Sequence, residues 1–298
     1  MKKTFDKEKC TGCGVCVINC PIKIMEVSST EVNKKGKATS YVIDESKCIN
    51  CMICAKMCPY FAINFEDNGK NITFPKLMEN VEIPFHNGCY QGLIERLVAE
   101  TIEELDIAKD IIIFKPEMAR FTVNVEIKAL PMEKYFEEAL IYKRNNPNKI
   151  VLIWYVDEEP WQHEQALKDF KNLKNSSVTI IHMLNYFSEL KENPNSPNCA
   201  EDLCDYLSKS SEATFVSRGS FKNLGSQNQT KLQITKAILN QEKNKGFSLA
   251  EITLPCHWRI EGRPTKEIVF SQVKENIEWF NKEIIKKYPL GIFKNVTT

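Results

Sequence analysis

The chain has 298 residues, 43% of them hydrophobic and 27% charged, which is typical of a soluble globular protein with about two domains. Its 40 basic and 39 acidic side chains leave a net charge of +1, which gives no support for nucleic acid as the main partner. The longest apolar runs, at 111–114 and 150–156, are far shorter than the ~20 residues that span a bilayer. The first residues are polar and do not form a signal peptide, so we expect a cytoplasmic protein without membrane contact.

The N-terminal part contains an internal repeat built around cysteines. Residues 6–27 align with residues 44–65 at an offset of 38, and both copies contain the pattern C-x2-C-x2-C-x3-C-P. The first copy supplies Cys10, Cys13, Cys16 and Cys20, and the second supplies Cys48, Cys51, Cys54 and Cys58. Zinc binding and disulfides are the alternatives, but zinc sites use paired C-x2-C steps and fit a third equal step poorly.

This pattern resembles the ligand sequence of bacterial-type ferredoxins, which hold two 4Fe–4S clusters. In such proteins the fourth cysteine of each copy binds the cluster of the other copy. The resemblance assigns four cysteines to each cluster: Cys10, Cys13, Cys16 and Cys58 to cluster 1, and Cys48, Cys51, Cys54 and Cys20 to cluster 2. It implies an α+β ferredoxin-like domain, which we place at residues 1–74. Within it, the lysine-rich segment 34–37 predicts a solvated hairpin turn, and a docking patch for an acidic redox partner is the alternative.

The remaining residues, 75–298, predict alternating helices and strands. Residues 67–71 have the composition of a turn, and residues 74–84 read as a linker. Apolar periodicity then predicts helices at 93–105, 132–144, 162–173, 199–209, 231–245 and 267–287. Strands are predicted between them at 109–114, 149–156, 177–184, 213–218 and 247–254. Such alternation is typical of an α/β domain with a mostly parallel sheet covered by helices on both faces.

Four segments of this second domain carry a resemblance to one family: residues 88–107, 215–219, 246–256 and 288–292. They are similar to segments of the β subunit of 2-oxoacid:ferredoxin oxidoreductases of the pyruvate and indolepyruvate type. The resemblance is diffuse but collinear over residues 85–294. It implies a thiamine-diphosphate-binding fold, a hetero-oligomer with a catalytic α-type subunit, and a low-potential electron carrier as a further partner.

The family binds the diphosphate and Mg²⁺ through a Gly-Asp-Gly turn and a later asparagine, and this chain departs from that pattern. The matching positions are Asp157 and Asn185, but both glycines are absent. Tyr155 and Val156 are expected to place side chains where phosphate oxygens would lie, and the carboxylates at 158 and 159 add repulsion. We therefore expect a degenerate site that disfavours thiamine diphosphate and Mg²⁺. The alternative interpretation of this turn is an acidic helix N-terminus.

The family also holds a proximal 4Fe–4S cluster on this subunit. The matching positions here are His86, Cys89 and Cys256, and the loop 115–120 supplies no cysteine. With two thiols left of four, we expect a remnant rather than an intact third cluster. The other cysteines and histidines of the domain have no partner at metal-ligand spacing and are expected to be structural: Cys199, Cys204, His163, His182 and His257.

The sequence thus favours an iron–sulfur electron-transfer subunit of a 2-oxoacid:ferredoxin oxidoreductase-like complex, inactive on its own. Three alternatives stay open. The chain could be a complete catalytic β subunit that depends on thiamine diphosphate, or a non-enzymatic ferredoxin with a protein-interaction domain. It could also be a reductase for a different low-potential acceptor.

Overall fold

The computed structural model describes residues 2–34, 36–79, 81, 89–157, 168–170, 173, 176–187, 202–209, 212–242, 246–256, 259–260, 263–264 and 270–296. Most of the predicted helix 162–173 and the first residues of the predicted helix 199–209 lie outside this set. Residues 168–170 are helical.

Two small antiparallel sheets and two short helices form the N-terminal part. Strand β1 (Lys2–Phe5) pairs with β4 (Ile63–Asp67), which turns back through residues 68–69 into β5 (Lys70–Asn71). Strands β2 (Met25–Val32) and β3 (Ala38–Val42) form a hairpin, so the turn predicted at 34–37 is confirmed. Each copy of the repeat contributes one short helix that begins after its second cysteine and contains the third: α1 (Val15–Asn19) and α2 (Ile53–Lys56). Single 3₁₀ turns lie before α2, at Glu45–Lys47, and after β5, at Lys76–Met78.

A seven-stranded sheet forms the centre of the rest of the chain. Its strands are β6 (Ile111–Pro116), β7 (Glu126–Leu130), β8 (Ile150–Asp157), β9 (Thr179–Phe187), β10 (Ala213–Ser220), β11 (Phe247–Cys256) and, in last position along the chain, β14 (Gly291–Asn295). Their order across the sheet is β14-β10-β11-β9-β8-β6-β7, and every pair is parallel except β10 with β14. A separate two-stranded hairpin consists of β12 (Arg259–Ile260) and β13 (Arg263–Pro264). The predicted mostly parallel sheet is confirmed.

Helices cover both faces of the sheet. These are α3 (Gln91–Glu104), α4 (Tyr135–Asn145), α5 (Leu203–Ser208), α6 (Leu224–Glu242) and α7 (Phe270–Trp279), which continues through a π-helical turn at Phe280–Ile284 to Lys287. Each face of the sheet has its own core, and alternate residues of β8 belong to one or the other. Leu152 and Trp154 pack with α3 and α6, whereas Val151 and Ile153 pack with α4 and α5. Because both faces of the sheet are buried, the central strands are continuous apolar runs, which is why the sequence predicted them.

The first core continues into the N-terminal part. Cys13, Met57 and Phe61 belong to the same buried cluster as Leu93 and Leu97 of α3. The guanidinium of Arg96, on the same helix, donates to the backbone oxygens of Ala55 and Thr73. The division at residues 74 and 75 stays a prediction, but the two parts share one buried apolar cluster.

Two strands of the seven-stranded sheet and the start of one helix were not predicted, nor was the small β12–β13 hairpin. Strands β7 and β14 lie at the two edges of the sheet, where half the side chains are exposed and no apolar run is needed. Helix α6 begins at Leu224 rather than at residue 231, because its first two turns carry mainly polar side chains and lack an apolar stripe.

Candidate metal centres

Four cysteines line one cavity of the N-terminal part. They are Cys10, Cys13, Cys16 and Cys58, three from the first copy of the repeat and the last from the second. Gly12 and Gly14 let the chain wrap this cavity, since both have left-handed backbone angles, with φ of 68° and 71°. A β-carbon at Gly12 would lie 2.6 Å from the oxygen of Ala38, so the loop could not approach β3 with another residue there.

The sulfur atoms of this first cavity are buried and hydrogen-bonded. The N–H of Ser40 donates to Cys10 Sγ and the N–H of Ala62 to Cys58 Sγ, both at 3.4 Å. Burial, aided by the neighbouring Cys58 thiol, raises the pKa of Cys13 to about 12. Burial also raises the pKa of Cys16 and Cys58. A bound cation would compensate the charge of buried thiolates, and a cysteine donor set whose sulfur atoms accept N–H bonds suits an iron–sulfur cluster.

The other four cysteines line a second cavity: Cys20, Cys48, Cys51 and Cys54. Cys51 is exposed to solvent, in contrast to the buried thiols of the first cavity. The loop uses the same left-handed positions as its counterpart, but with Asn50 and Met52, at φ of 53° and 60°, where the first copy has glycines. The repeat therefore preserves backbone conformation even where it does not preserve the residue.

Each cavity contains the three leading cysteines of one copy and the last cysteine of the other, which is the grouping that the resemblance assigns. None of the described cysteines forms a disulfide. Which cysteine binds which cluster stays a prediction. The donor sets fit two 4Fe–4S clusters, with cluster 1 in the buried cavity and cluster 2 in the exposed one.

The cavity of cluster 1 lies against the α/β part of the chain. The hydroxyl oxygen of Tyr60 accepts a hydrogen bond of 3.1 Å from the N–H of Cys89, just before α3. A β-carbon at Gly14 would lie 2.0 Å from the ring of Phe270 on α7. The side-chain amide of Gln227 on α6 donates to the oxygen of Lys56 at 2.9 Å. Three elements of the α/β part thus hold the cysteine-bearing segments in place.

The predicted cofactor positions lie at one edge of the sheet. Asp157 ends β8 in register with Leu184 of β9, so Asn185 lies one residue further along the adjacent strand. The Asn185 side chain is buried; that of Asp157, and the whole of residues 158 and 159, lie outside the described structure. Tyr155 and Val156 pack into the cores on opposite faces of the sheet, so the expectation that their side chains occupy a phosphate position is wrong. In a central strand, side chains alternate between the faces and do not point along the strand.

The predicted remnant of a third cluster is only partly described. Cys89 is half-buried and contacts Tyr60 through its backbone, as given above. His86 lies outside the described residues, and only the backbone of Cys256, the last residue of β11, is described. The remnant therefore stays a prediction.

Sequence reasoning missed a buried ionic group on the sheet. His182, Glu251 and Arg218 lie side by side on β9, β11 and β10, with His182 Nδ1 3.3 Å from a Glu251 oxygen and Arg218 donating to the other. The Arg218 guanidinium holds the pKa of Glu251 well below its usual range. Cys204 is buried beside this group, as predicted, whereas Cys199, His163 and His257 lie outside the described residues. His182 thus has an acidic partner on a segment that is distant in the sequence, which linear spacing could not reveal. The signal that was available is the presence of two charged residues, Arg218 and Glu251, within apolar strands.

Comparison with known proteins bears on the cysteine repeat. Residues 9–62 match the family described as the 4Fe-4S dicluster domain. This segment is an iron–sulfur domain. The predictions of 4Fe–4S clusters and electron transfer are confirmed for it. No curated protein matches the chain.

One of the similar solved structures matches most of the chain. It is the 2-oxoglutarate:ferredoxin oxidoreductase from Magnetococcus marinus with 2-oxoglutarate, coenzyme A and succinyl-CoA bound. The sequences are 14% identical, the match covers 76% of this chain and 88% of the other, and the TM-score is 0.49. Within the described part of the chain, no helix combines the length and hydropathy needed to cross a bilayer.

Proposed function

We propose that the protein is the iron–sulfur electron-transfer subunit of a 2-oxoacid:ferredoxin oxidoreductase-like complex. The observation that supports this most is the arrangement of eight cysteines into two cavities of four, within a segment that matches a dicluster domain. In this proposal the cavity sets named above are the ligands of clusters 1 and 2. Residues 1–74 form the ferredoxin domain, and residues 75–298 form the α/β domain.

The two cavities suit different tasks in electron transfer. Iron–sulfur clusters, when bound, take up and release single electrons. The cysteines of cluster 1 are withdrawn from water, and peptide N–H groups stabilise negative charge on two of their sulfur atoms. The exposed Cys51 places the edge of the other site at the surface, where an external carrier can approach. The cavity of cluster 1 would face the complex, and the cavity of cluster 2 would face the carrier.

The α/β domain would serve assembly rather than catalysis. It carries the four segments that resemble the β subunit of the family, but the turn after β8 lacks the glycines that allow a diphosphate to approach the backbone. A catalytic α-type subunit and a low-potential carrier are the partners that this proposal requires.

A first experiment tests electron transfer itself. The anaerobic protein is reduced with dithionite, freed from excess reductant, and mixed with oxidised cytochrome c as a one-electron acceptor. We expect about two electrons per chain, one from each site of the dicluster domain. A protein that contains iron but reduces no cytochrome c would contradict the proposal.

A second candidate function, a catalytic β subunit, is favoured by one observation. Asp157 ends β8, and Asn185 lies near the carboxyl end of the adjacent parallel strand β9, at the sheet edge where ligands bind in such sheets. Isothermal titration calorimetry with thiamine diphosphate and Mg²⁺ separates the two functions. We expect no binding up to millimolar cofactor, and no oxidation of a 2-oxo acid by the isolated chain with a viologen acceptor. Micromolar binding that is lost in Asn185→Leu would establish the catalytic alternative.

A further inference from the structure

A lysine side chain lies beside the thiols of cluster 2. Lys3 belongs to β1, where its backbone pairs with Phe65, and its Nζ is 3.9 Å from Cys48 Sγ. The same side chain lines the cavity together with the other cysteines of cluster 2. Its second contact is an ion pair of 2.6 Å with Glu45. The Lys3 side chain is only 15% exposed, so solvent and salt screen its charge weakly.

The cavity of cluster 1 has no such cation. Apart from its cysteines, it is lined by apolar side chains, backbone and the hydroxyls of Thr11, Ser40 and Tyr60; none of the described lining residues is charged. The repeat explains the difference. Lys3 precedes the aligned copies, and the same offset of 38 relates it to Tyr41, whose hydroxyl donates to Glu26 at 2.8 Å. Among the described residues, a cation therefore lines the cavity of cluster 2 and not that of cluster 1.

We propose that Lys3 is a redox-tuning residue of cluster 2, whose ammonium group raises the reduction potential of that cluster and leaves cluster 1 unaffected. The inference rests on the proposed function. Reduction adds one electron, supplied by the external donor, to an already anionic cluster–thiolate unit, and no bond is made or broken. A fixed positive charge a few ångströms from a ligand sulfur stabilises the reduced form more than the oxidised form.

Glu45 opposes this effect but cannot cancel it. Its side chain is 64% exposed, so water screens its charge more than that of the largely buried Lys3. The net field at the cysteines of cluster 2 therefore remains positive. This field stabilises an electron on cluster 2, next to the exposed Cys51, where an external carrier can accept it.

The test compares three single variants with the wild-type protein. Lys3→Gln removes the cation, Glu45→Gln removes its counter-charge, and Lys2→Gln is a matched control because Lys2 is exposed and adjacent on the same strand. The potentials of the two clusters are measured separately from the hyperfine-shifted cysteine Hβ signals in NMR spectra recorded at a series of applied potentials. Iron and sulfide are counted for each variant.

We expect Lys3→Gln to lower the equilibrium constant for reduction of cluster 2 about tenfold, which is ~59 mV for one electron. Glu45→Gln should shift the same potential upward, and Lys2→Gln should leave it unchanged. Cluster 1 should keep its potential in all three variants and serves as an internal reference.

The possible negative results separate the role of Lys3 from the proposed function. Unchanged potentials in a fully loaded Lys3→Gln protein would overturn the role of Lys3 and leave electron transfer intact. Equal shifts at both clusters would also overturn it. If Lys3→Gln fails to assemble cluster 2, Lys3→Arg and Glu45→Gln provide the test, because both variants keep a cation at the site. Lys3→Arg must then preserve the reduction potential of cluster 2, and Glu45→Gln must raise it. A wild-type chain that binds no iron would instead refute the proposed function.

Discussion

Replacing Arg96 with methionine should weaken the attachment of the ferredoxin part to helix α3. The guanidinium is almost fully buried and donates to the oxygens of Ala55 and Thr73, while its Nε bonds Glu100 at 2.8 Å. Methionine keeps most of the packing of the side-chain stem but removes every donor. Ala55 O retains a bond from the N–H of Cys58, whereas no other donor among the described residues reaches Thr73 O.

The cost follows from these partners. A buried carbonyl left without a donor costs ~1–3 kcal/mol, and the loss of a charged donor from Ala55 adds to it, so we expect ~2–4 kcal/mol in the free energy of unfolding. Glu100 adds little, because Lys231 still lies 3.0 Å from its carboxylate. Cys54 directly precedes Ala55, so cluster 2 should also be released earlier.

Anaerobic urea unfolding, followed by far-UV circular dichroism and by the visible absorbance of the clusters, measures both effects. Arg144→Met is the matched control, since Arg144 also lies within a helix but is exposed. If the Arg96 variant unfolded at the same urea concentration as the Arg144 variant, the inferred role of Arg96 would be wrong.

Three further substitutions test separate parts of the structure. Cys58→Ala should remove cluster 1 and spare cluster 2, halving the iron count; loss of cluster 2 alone would contradict the crossed grouping. Burial raises the pKa of Glu95 to about 7, so the folded state favours the protonated form and loses ~3 kcal/mol of stability as the pH rises from 4.5 through 7. The difference in unfolding free energy between pH 5 and pH 8 should therefore shrink in Glu95→Gln, and an unchanged difference would refute the shift. Glu251→Gln should cost about 3 kcal/mol in urea unfolding, because it leaves the buried Arg218 with a single carboxylate partner, whereas Glu278→Gln at the surface should cost nothing measurable.

The ferredoxin part was predictable because its information is local. The repeated cysteine spacing carries the resemblance to two-cluster ferredoxins, that resemblance implies which thiols share a cavity, and the structure groups them in the same way. The central strands were predictable for a similar reason, since burial on both faces makes each a continuous apolar run. The edge strand β7 was not, because its exposed Glu126 and Lys128 interrupt any such run.

Contacts between distant segments could not be predicted from one sequence. Arg96 reaches Ala55 across 41 positions, and no local pattern distinguishes this arginine from a surface one. The pairing of His182 with Glu251 depends on the register of two strands that are adjacent in the sheet but far apart in the chain. The position of Lys3 beside cluster 2 likewise depends on the pairing of β1 with β4.

The central claim, that this chain holds two 4Fe–4S clusters in its two four-cysteine cavities, is tested most directly by iron and labile sulfide analysis of the anaerobically purified protein. The account predicts about eight iron and eight sulfide per chain, four of each for either cavity of the dicluster domain. Dithionite should then produce the EPR spectrum of two interacting reduced clusters. About twelve of each would establish a third cluster at Cys89 and its neighbours, while zinc without sulfide, or about four iron per chain, would contradict the account.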